Sequence, residues 1–67
     1  MHGELRPLLS DPEWKQLWRF DQHYRALADG DDPPAVRSLV ARGLVDEFRR
    51  RLPLYRINAI GRLVRRP

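Results

Sequence analysis

Three adjacent arginines, Arg49, Arg50 and Arg51, form the densest group of like charges in this chain of 67 residues. Residues 35–67 hold nine arginines and two acids, a net charge of +7, whereas residues 1–34 hold four basic residues and seven acids, a net charge of −3. Clustered guanidinium groups release counterions when they bind a phosphate backbone, so the basic half favours a polyanionic partner. Two other interpretations of the same charges are a solvated edge hairpin that charge protects from aggregation and an acidic protein surface as the partner. A third is the base composition of a GC-rich genome, since twelve of the thirteen basic residues are arginine.

The chain has few residues that could carry out catalysis. It contains no cysteine and no threonine. Its serines, Ser10 and Ser38, lie at helix positions where a hydroxyl has a local structural role, so neither stands out as a nucleophile. His2 lies in the expected N-terminal arm, and His23 has no acid at a helical spacing that would face it. No metal-ligand spacing is visible, and glycines 3, 30, 43 and 61 are too scattered for a phosphate-binding loop. We therefore expect no enzyme activity, no metal, no cofactor and no small-molecule substrate.

Four of the six aromatic residues lie close together in the acidic half: Trp14, Trp18, Phe20 and Tyr24. A domain of this size buries only about 60% of the surface of its unfolded chain, so its core is too thin for all of them. Tryptophan and tyrosine are enriched at binding hot spots. We expect these side chains to form a homodimer interface or to dock on a larger protein partner. The alternative is that Trp14 and Trp18 are ordinary core residues.

A first helix is expected to carry these aromatic residues. Residues 1–9 show little pattern and are expected to form an arm. Ser10 and Glu13 have the spacing of a capping box at a helix start. No residue from 12 to 29 interrupts a helix, and Gly30 suits the position just past a helix end. We therefore predict a helix over residues 12–29.

A second helix is predicted over residues 33–42, since acids and prolines precede it and Gly43 follows it. Val36, Leu39 and Val40 form its apolar face. The residues away from that face are Arg37, Ser38, Ala41 and Arg42.

After the second helix the apolar pattern changes to a period of two, which predicts a hairpin over residues 44–58 with its tip at the arginine cluster. Asn58 can cap a short last helix over residues 59–66. In that helix Ile60, Leu63 and Val64 are expected to face inward and Arg62, Arg65 and Arg66 outward. The predicted fold class is therefore α+β, in one domain.

The second half of the chain resembles the winged-helix transcription regulators of the MarR and PadR type. In that family a recognition helix ends at Gly-Leu-Ile/Val, and the second strand of the wing reads Tyr-x-Leu-Thr-x-x-Gly. The matching positions here are Gly43, Leu44, Val45, Tyr55, Ile57, Asn58 and Gly61, with Asn58 in place of threonine. The resemblance covers about residues 31–64. The family normally has three helices before the wing, whereas this chain has room for two substantial ones. Either residues 3–9 form a stub of the first helix, or the helix over residues 12–29 serves as the positioning helix, and the second case puts the helix over residues 33–42 in the recognition position.

The resemblance implies a small winged-helix domain that binds double-stranded DNA. The helix over residues 33–42 would take the recognition position and contact bases through Arg37, Ser38 and Arg42. The wing tip, Arg49, Arg50 and Arg51, together with Arg62, would contact phosphates or the minor groove. An amphipathic helix must also expose some residues, and arginine is a common choice, so the exposed arginines alone do not establish base contact.

Two functions follow from these observations. The first is a DNA-binding regulator of transcription or an accessory factor of a mobile element or phage, working as a dimer. The second is a protein-interaction module that keeps the winged-helix fold and docks on a protein through its aromatic first helix. No apolar stretch approaches the ~20 residues of a membrane span, and the start of the chain does not resemble a signal peptide, so a cytoplasmic location is expected.

Overall fold

The computed structural model describes residues 8–66, which form three helices and one antiparallel hairpin, so the predicted α+β class is confirmed. The helices and strands are α1 (Asp11–Arg19), α2 (Pro33–Ala41), β1 (Val45–Phe48), β2 (Leu54–Ile57) and α3 (Ala59–Arg65). Most of the arm expected over residues 1–9 lies outside the described residues. The core is formed by residues from every element except α3: Leu17, Phe20, Val36, Leu39, Leu44, Val45, Tyr55 and Ile57.

Helix α1 begins where the sequence predicts. The Ser10 hydroxyl accepts a hydrogen bond from the Glu13 amide, and the Glu13 carboxylate accepts one from the Ser10 amide at 2.8 Å, which completes the capping box. The prediction that this helix continues to residue 29 is wrong. It ends at Arg19, and Phe20 adopts an extended conformation with φ −89° and ψ 149°.

The early end of α1 has a tertiary cause. The following segment lies along the edge of β2 that β1 leaves free, and Arg25 and Tyr55 exchange backbone hydrogen bonds of 2.9 and 2.7 Å. The Ile57 amide also donates to the Asp21 carbonyl at 2.9 Å. The backbone groups that a longer helix would have paired internally are thus paired with β2, and Phe20 turns into the core.

Asp31 fixes this irregular segment against α1. Its carboxylate, with only 1% of the side chain exposed, accepts hydrogen bonds from Arg25 at 2.7 Å and from Arg19 and Gln16 at 2.9 Å. The Ala28 amide donates a further bond at 2.8 Å. The hydrogen bonds, led by that of Arg25, outweigh burial and hold the pKa of Asp31 well below its usual range.

Helix α2 and the hairpin follow the predicted order. Asp32 caps α2 through the Ala35 amide, and Gly43 takes the left-handed conformation, φ +78°, that lets the chain leave the helix. The register pairs Val45 with Ile57 and Glu47 with Tyr55. Because side chains alternate along a strand, these four residues share the inner face of the hairpin.

The short helix α3 is capped by Asn58, as predicted, through its bond from the Gly61 amide at 2.8 Å. Gly61 lies so close to the start of the hairpin that a Cβ there would be 2.2 Å from the Leu44 carbonyl oxygen. The expected inward face of α3 is correct only for Val64, which packs against the core. Ile60 and Leu63 are 58% and 61% exposed, because the close contact at Gly61 turns that side of the helix outward.

Candidate nucleic-acid interface

The arginines of residues 8–66 fall into two groups by their partners. Among residues 8–66, five arginines form ion pairs with carboxylates: Arg19, Arg25, Arg42, Arg49 and Arg56. Within the same range, no carboxylate pairs with Arg37, Arg50, Arg51, Arg62, Arg65 or Arg66. All of this second group belongs to the basic half of the chain, so α2, the hairpin tip and α3 carry the arginines that have no carboxylate partner within residues 8–66.

Arg37 and Arg49 face one another across a groove between α2 and the inner face of the hairpin. The groove has a volume of about 260 Å³, and Val40, Ala41, Glu47 and Tyr55 line the rest of it. The small Ala41 side chain leaves room for a group to approach the helix. The arrangement can accept an anionic edge between two guanidinium groups.

Glu47 is the acid among the residues that line this groove, and its carboxylate accepts hydrogen bonds from other residues of the protein. Its carboxylate accepts a hydrogen bond from the Tyr55 hydroxyl at 3.1 Å and one from Arg49 Nε at 3.4 Å. Burial, followed by the bond to Glu47, raises the pKa of Tyr55, while the charges of Arg37 and Arg49 oppose that rise.

The hairpin tip beside the groove is open to solvent. The Arg49 side chain is 88% exposed, and Arg50 and Arg51 are exposed as well. Arg50 lies over the ring of Phe48, with 5.6 Å between its guanidinium carbon and the ring centroid. Of the seven residues predicted to bind nucleic acid, Arg37 and Arg49 line the groove, and Arg50 and Arg51 follow Arg49 in the exposed hairpin tip.

Ser38 and Arg42 have an internal role that the sequence did not indicate. The Ser38 hydroxyl and Arg42 Nε, the latter at 2.8 Å, both donate to Glu13 of α1. Glu13 is only 6% exposed, and the bonds from Ser38, the Ser10 backbone and Arg42 lower its pKa to about 2. These contacts join α2 to α1, so contact of Ser38 and Arg42 with DNA stays a prediction, and the interface rests on Arg37.

Arg62 lies apart from the groove. Its guanidinium donates to the Gln22 side chain at 2.8 Å, and it lines an open cleft with Asp46 and Arg56, which occupy the outer face of the hairpin. The structure thus does not bring Arg62 together with Arg37.

The four aromatic residues predicted to form one partner surface do not share a face. Phe20 is 2% exposed and belongs to the core, so its predicted place in an interface is wrong. Trp14 packs against the core, whereas Trp18 is 57% exposed beneath Arg65, 4.9 Å from its ring centroid. Tyr24 lies on the hairpin, not on α1, because the helix ends before it.

Three functional candidates were missed from the sequence: Phe48, Arg56 and Arg65. Strand alternation does place Phe48 and Arg56 on the outer face of the hairpin, so that signal was present. Arg65 donates to the Leu17 and Phe20 carbonyls at 3.2 and 2.7 Å at the end of α1, a contact between distant parts of the chain that no local pattern indicates.

Comparison with family models, with curated proteins and with solved structures found no match to this chain. In the described part of the chain, no helix is long and apolar enough to cross a membrane. Nor do residues 8–66 contain a group of three or more His, Cys, Asp or Glu side chains placed to hold a metal ion.

Proposed function

We propose that this protein is a small DNA-binding protein of winged-helix type that acts as a regulator of transcription or as an accessory factor of a mobile element or phage. Its duplex-binding surface comprises the groove between α2 and the hairpin, together with the hairpin tip. The observation that carries the proposal is that Arg37, at the groove, and Arg50 and Arg51, at the exposed hairpin tip next to Arg49, have no carboxylate partner within residues 8–66.

The charges at this surface suit a phosphate backbone better than a small anion. Arg50 and Arg51 extend from the exposed tip, while Arg37 and Arg49 lie at the groove, so the guanidiniums are spread along a surface. A duplex presents phosphates along two strands, and each neutralised phosphate releases counterions. Sequence-independent contacts of this kind would fix the position of the protein on DNA.

Helix α2 is the element that would approach the bases. Arg37 is exposed on it, and a guanidinium can pair with guanine in the major groove through two hydrogen bonds. The Glu13 contacts of Ser38 and Arg42 hold α2 at a fixed angle to α1. On this proposal, α1 supports α2 and does not contact DNA.

The test compares two single charge removals in fluorescence anisotropy with labelled random-sequence duplex DNA. Arg37→Ala should weaken binding by about fivefold, because it removes one phosphate or base contact. Lys15→Ala, which removes an exposed charge from α1, should leave the affinity within about twofold, because no contact is assigned to it. Equal losses of duplex affinity from the two substitutions would show that the groove does not contribute to DNA binding.

A second function is supported by the exposed apolar side chains of α1 and α3. Trp18 is 57% exposed, and Ile60 and Leu63 are exposed to a similar extent, more than a monomeric domain of this size requires. A homodimer or a larger protein partner would cover them. Sedimentation that shows self-association, abolished by Trp18→Ala, would support the dimer, whereas a monomer at every concentration would contradict it.

A further inference from the structure

The outer face of the hairpin carries a tilted pair of aromatic rings, each with a guanidinium group over it. The rings of Tyr24 and Phe48 lie 5.6 Å apart between centroids and are inclined by 45°. Arg50 lies over Phe48 at 5.6 Å, and Arg56 lies over Tyr24 at 4.5 Å. The order along the surface is therefore guanidinium, ring, ring, guanidinium.

Neither ring is needed to fill the core. Phe48 is 49% exposed and Tyr24 is 38% exposed, whereas the core of the protein lies on the opposite face of the hairpin. The contact of Arg50 with Phe48 is long, and the Arg50 side chain is exposed, so it can move aside or lie over an inserted planar group. A flat aromatic ligand could stack on Phe48 and remain under a guanidinium.

A basic cleft adjoins this pair of rings. It is open, with a volume of about 580 Å³, and its lining includes His23, Arg56, Asn58 and Arg62. Arg56 belongs to both features, since it lines the cleft and lies over Tyr24. The cleft and the aromatic rings are therefore neighbours joined by Arg56.

The acid in the cleft does not make it unsuitable for an anion. Asp46 accepts hydrogen bonds from Arg56 Nε at 3.3 Å and from the Asn58 amide at 3.1 Å, so its charge is partly compensated. Arg62 forms no ion pair within residues 8–66 and donates only to the neutral Gln22 side chain at 2.8 Å. A phosphate could accept hydrogen bonds from Arg62 and from the outer part of Arg56.

We propose that this outer face of the hairpin binds single-stranded nucleic acid, with unpaired bases stacked on Phe48 and Tyr24 and the backbone phosphates at Arg56 and Arg62. Stacking platforms beside a basic groove bind single strands with little sequence preference, because every base has a flat face. A duplex hides those faces, so it cannot use the rings. An acidic peptide could use the arginines but would have no group to stack.

This second surface is separate from the proposed duplex-binding groove and shares only Arg50 with it. Strand alternation places Phe48 and Arg56 on the face opposite Glu47 and Tyr55, which line the groove. A protein that holds a duplex on one face of its hairpin and a single strand on the other would suit a junction between paired and unpaired nucleic acid.

The test uses anisotropy of labelled oligothymidylate of about 10 nucleotides, which falls within the range of single-strand site sizes. Phe48→Ala should weaken binding by about tenfold, because loss of one stacked base costs on the order of 1–3 kcal/mol. Phe48→Leu, which keeps apolar area but has no ring, should be equally weak, whereas Phe48→Trp should retain the native affinity. Tyr24→Ala should also weaken binding of the oligonucleotide. Far-UV circular dichroism checks that each variant is folded.

An abasic strand of the same length separates stacking from charge, since it keeps the phosphates and lacks the bases. We expect it to bind at least about tenfold more weakly than oligothymidylate. Equal binding of the abasic strand, or equal affinity of the folded Phe48→Ala and native proteins, would overturn the proposal. Displacement of the oligonucleotide by polyglutamate at equal charge concentration would overturn it in favour of an acidic protein partner. Oligouridylate run in parallel tells whether RNA is bound as well as DNA.

The duplex measurements keep the two proposals distinguishable. Phe48→Ala should leave duplex affinity within about twofold, and Arg37→Ala should leave oligothymidylate affinity unchanged to the same extent. If duplex binding is absent and oligothymidylate binding depends on Phe48, the groove proposal fails and this one stands.

Discussion

At the scale of single residues, Glu13 joins two helices through the hydrogen bonds of its carboxylate. It caps α1, and it accepts hydrogen bonds from Ser38 and Arg42 of α2. Its partners lie 25 and 29 residues further along the chain, so only the capping role could be predicted from the sequence. Through these contacts Ser38 and Arg42 have a role within the protein, and their contact with DNA stays a prediction.

The depressed pKa of Glu13 predicts how stability depends on pH. A carboxylate whose pKa falls from 4.5 to about 2 on folding stabilises the folded protein above about pH 4.5, and this contribution is lost as the pH falls towards 2. Glu13→Gln should therefore lower the free energy of unfolding by about 2 kcal/mol near neutral pH, the scale of hydrogen bonds to a charged group.

Urea unfolding of the native and Glu13→Gln proteins at several pH values measures this effect. The difference in unfolding free energy between the two proteins should shrink as the pH approaches 2, because the native carboxyl is then protonated. Asp31 titrates in both proteins and its contribution cancels. A difference that does not change with pH would show that the contacts of Glu13 do not depend on its charge.

At the scale of elements, the junctions determine how α2, the hairpin and α3 are oriented. Gly43 ends α2 with a positive φ, and Gly61 lets α3 approach Leu44 at the start of the hairpin. Asn58 links the same regions, since its side-chain amide donates to the Gly43 carbonyl at 2.8 Å. The Gly43 helix end and the Asn58 cap were predictable, because helix-stop and capping signals lie in adjacent residues. The approach of Gly61 to Leu44 and the bond from Asn58 to Gly43 join distant parts of the chain and were not predictable from local signals.

Substitution of the two glycines should separate steric contact from backbone strain. Gly61→Ala should destabilise the protein by about 3 kcal/mol, because its Cβ would clash with the Leu44 carbonyl and with Ile57. Gly43→Ala should cost about 1 kcal/mol, since it has open space and only the positive φ opposes it. Thermal unfolding checks the order, and a larger loss for Gly43→Ala would contradict the packing of α3 described above.

At the scale of the whole molecule, predictions from sequence succeed for local signals and fail for contacts between distant residues. The hairpin, α2 and the Asn58 cap follow from alternation, glycine and capping residues. The end of α1 does not, because Arg25 pairs with Tyr55 of the hairpin and competes with the helix. That one difference moves Phe20 into the core and Tyr24 onto the outer face of the hairpin, so the predicted aromatic partner surface of the first helix is divided.

The acidic first half and the basic second half of the chain still differ in charge in the folded protein. The acids of the N-terminal half include Glu13 and Asp31, which bind arginines within the fold, whereas Arg37, Arg50 and Arg51 have no such partner in residues 8–66. The central claim is that this remaining charge binds duplex DNA through the groove and the hairpin tip.

The measurement that tests this claim most directly is a salt series of anisotropy with random-sequence duplex DNA. Four phosphate contacts, from Arg37, Arg49, Arg50 and Arg51, predict that log affinity falls with log salt with a slope of roughly −4. The double substitution Arg50→Ala and Arg51→Ala should reduce the slope to about −2. An unchanged slope in the double variant, or no duplex binding by the native protein at low salt, would contradict the claim.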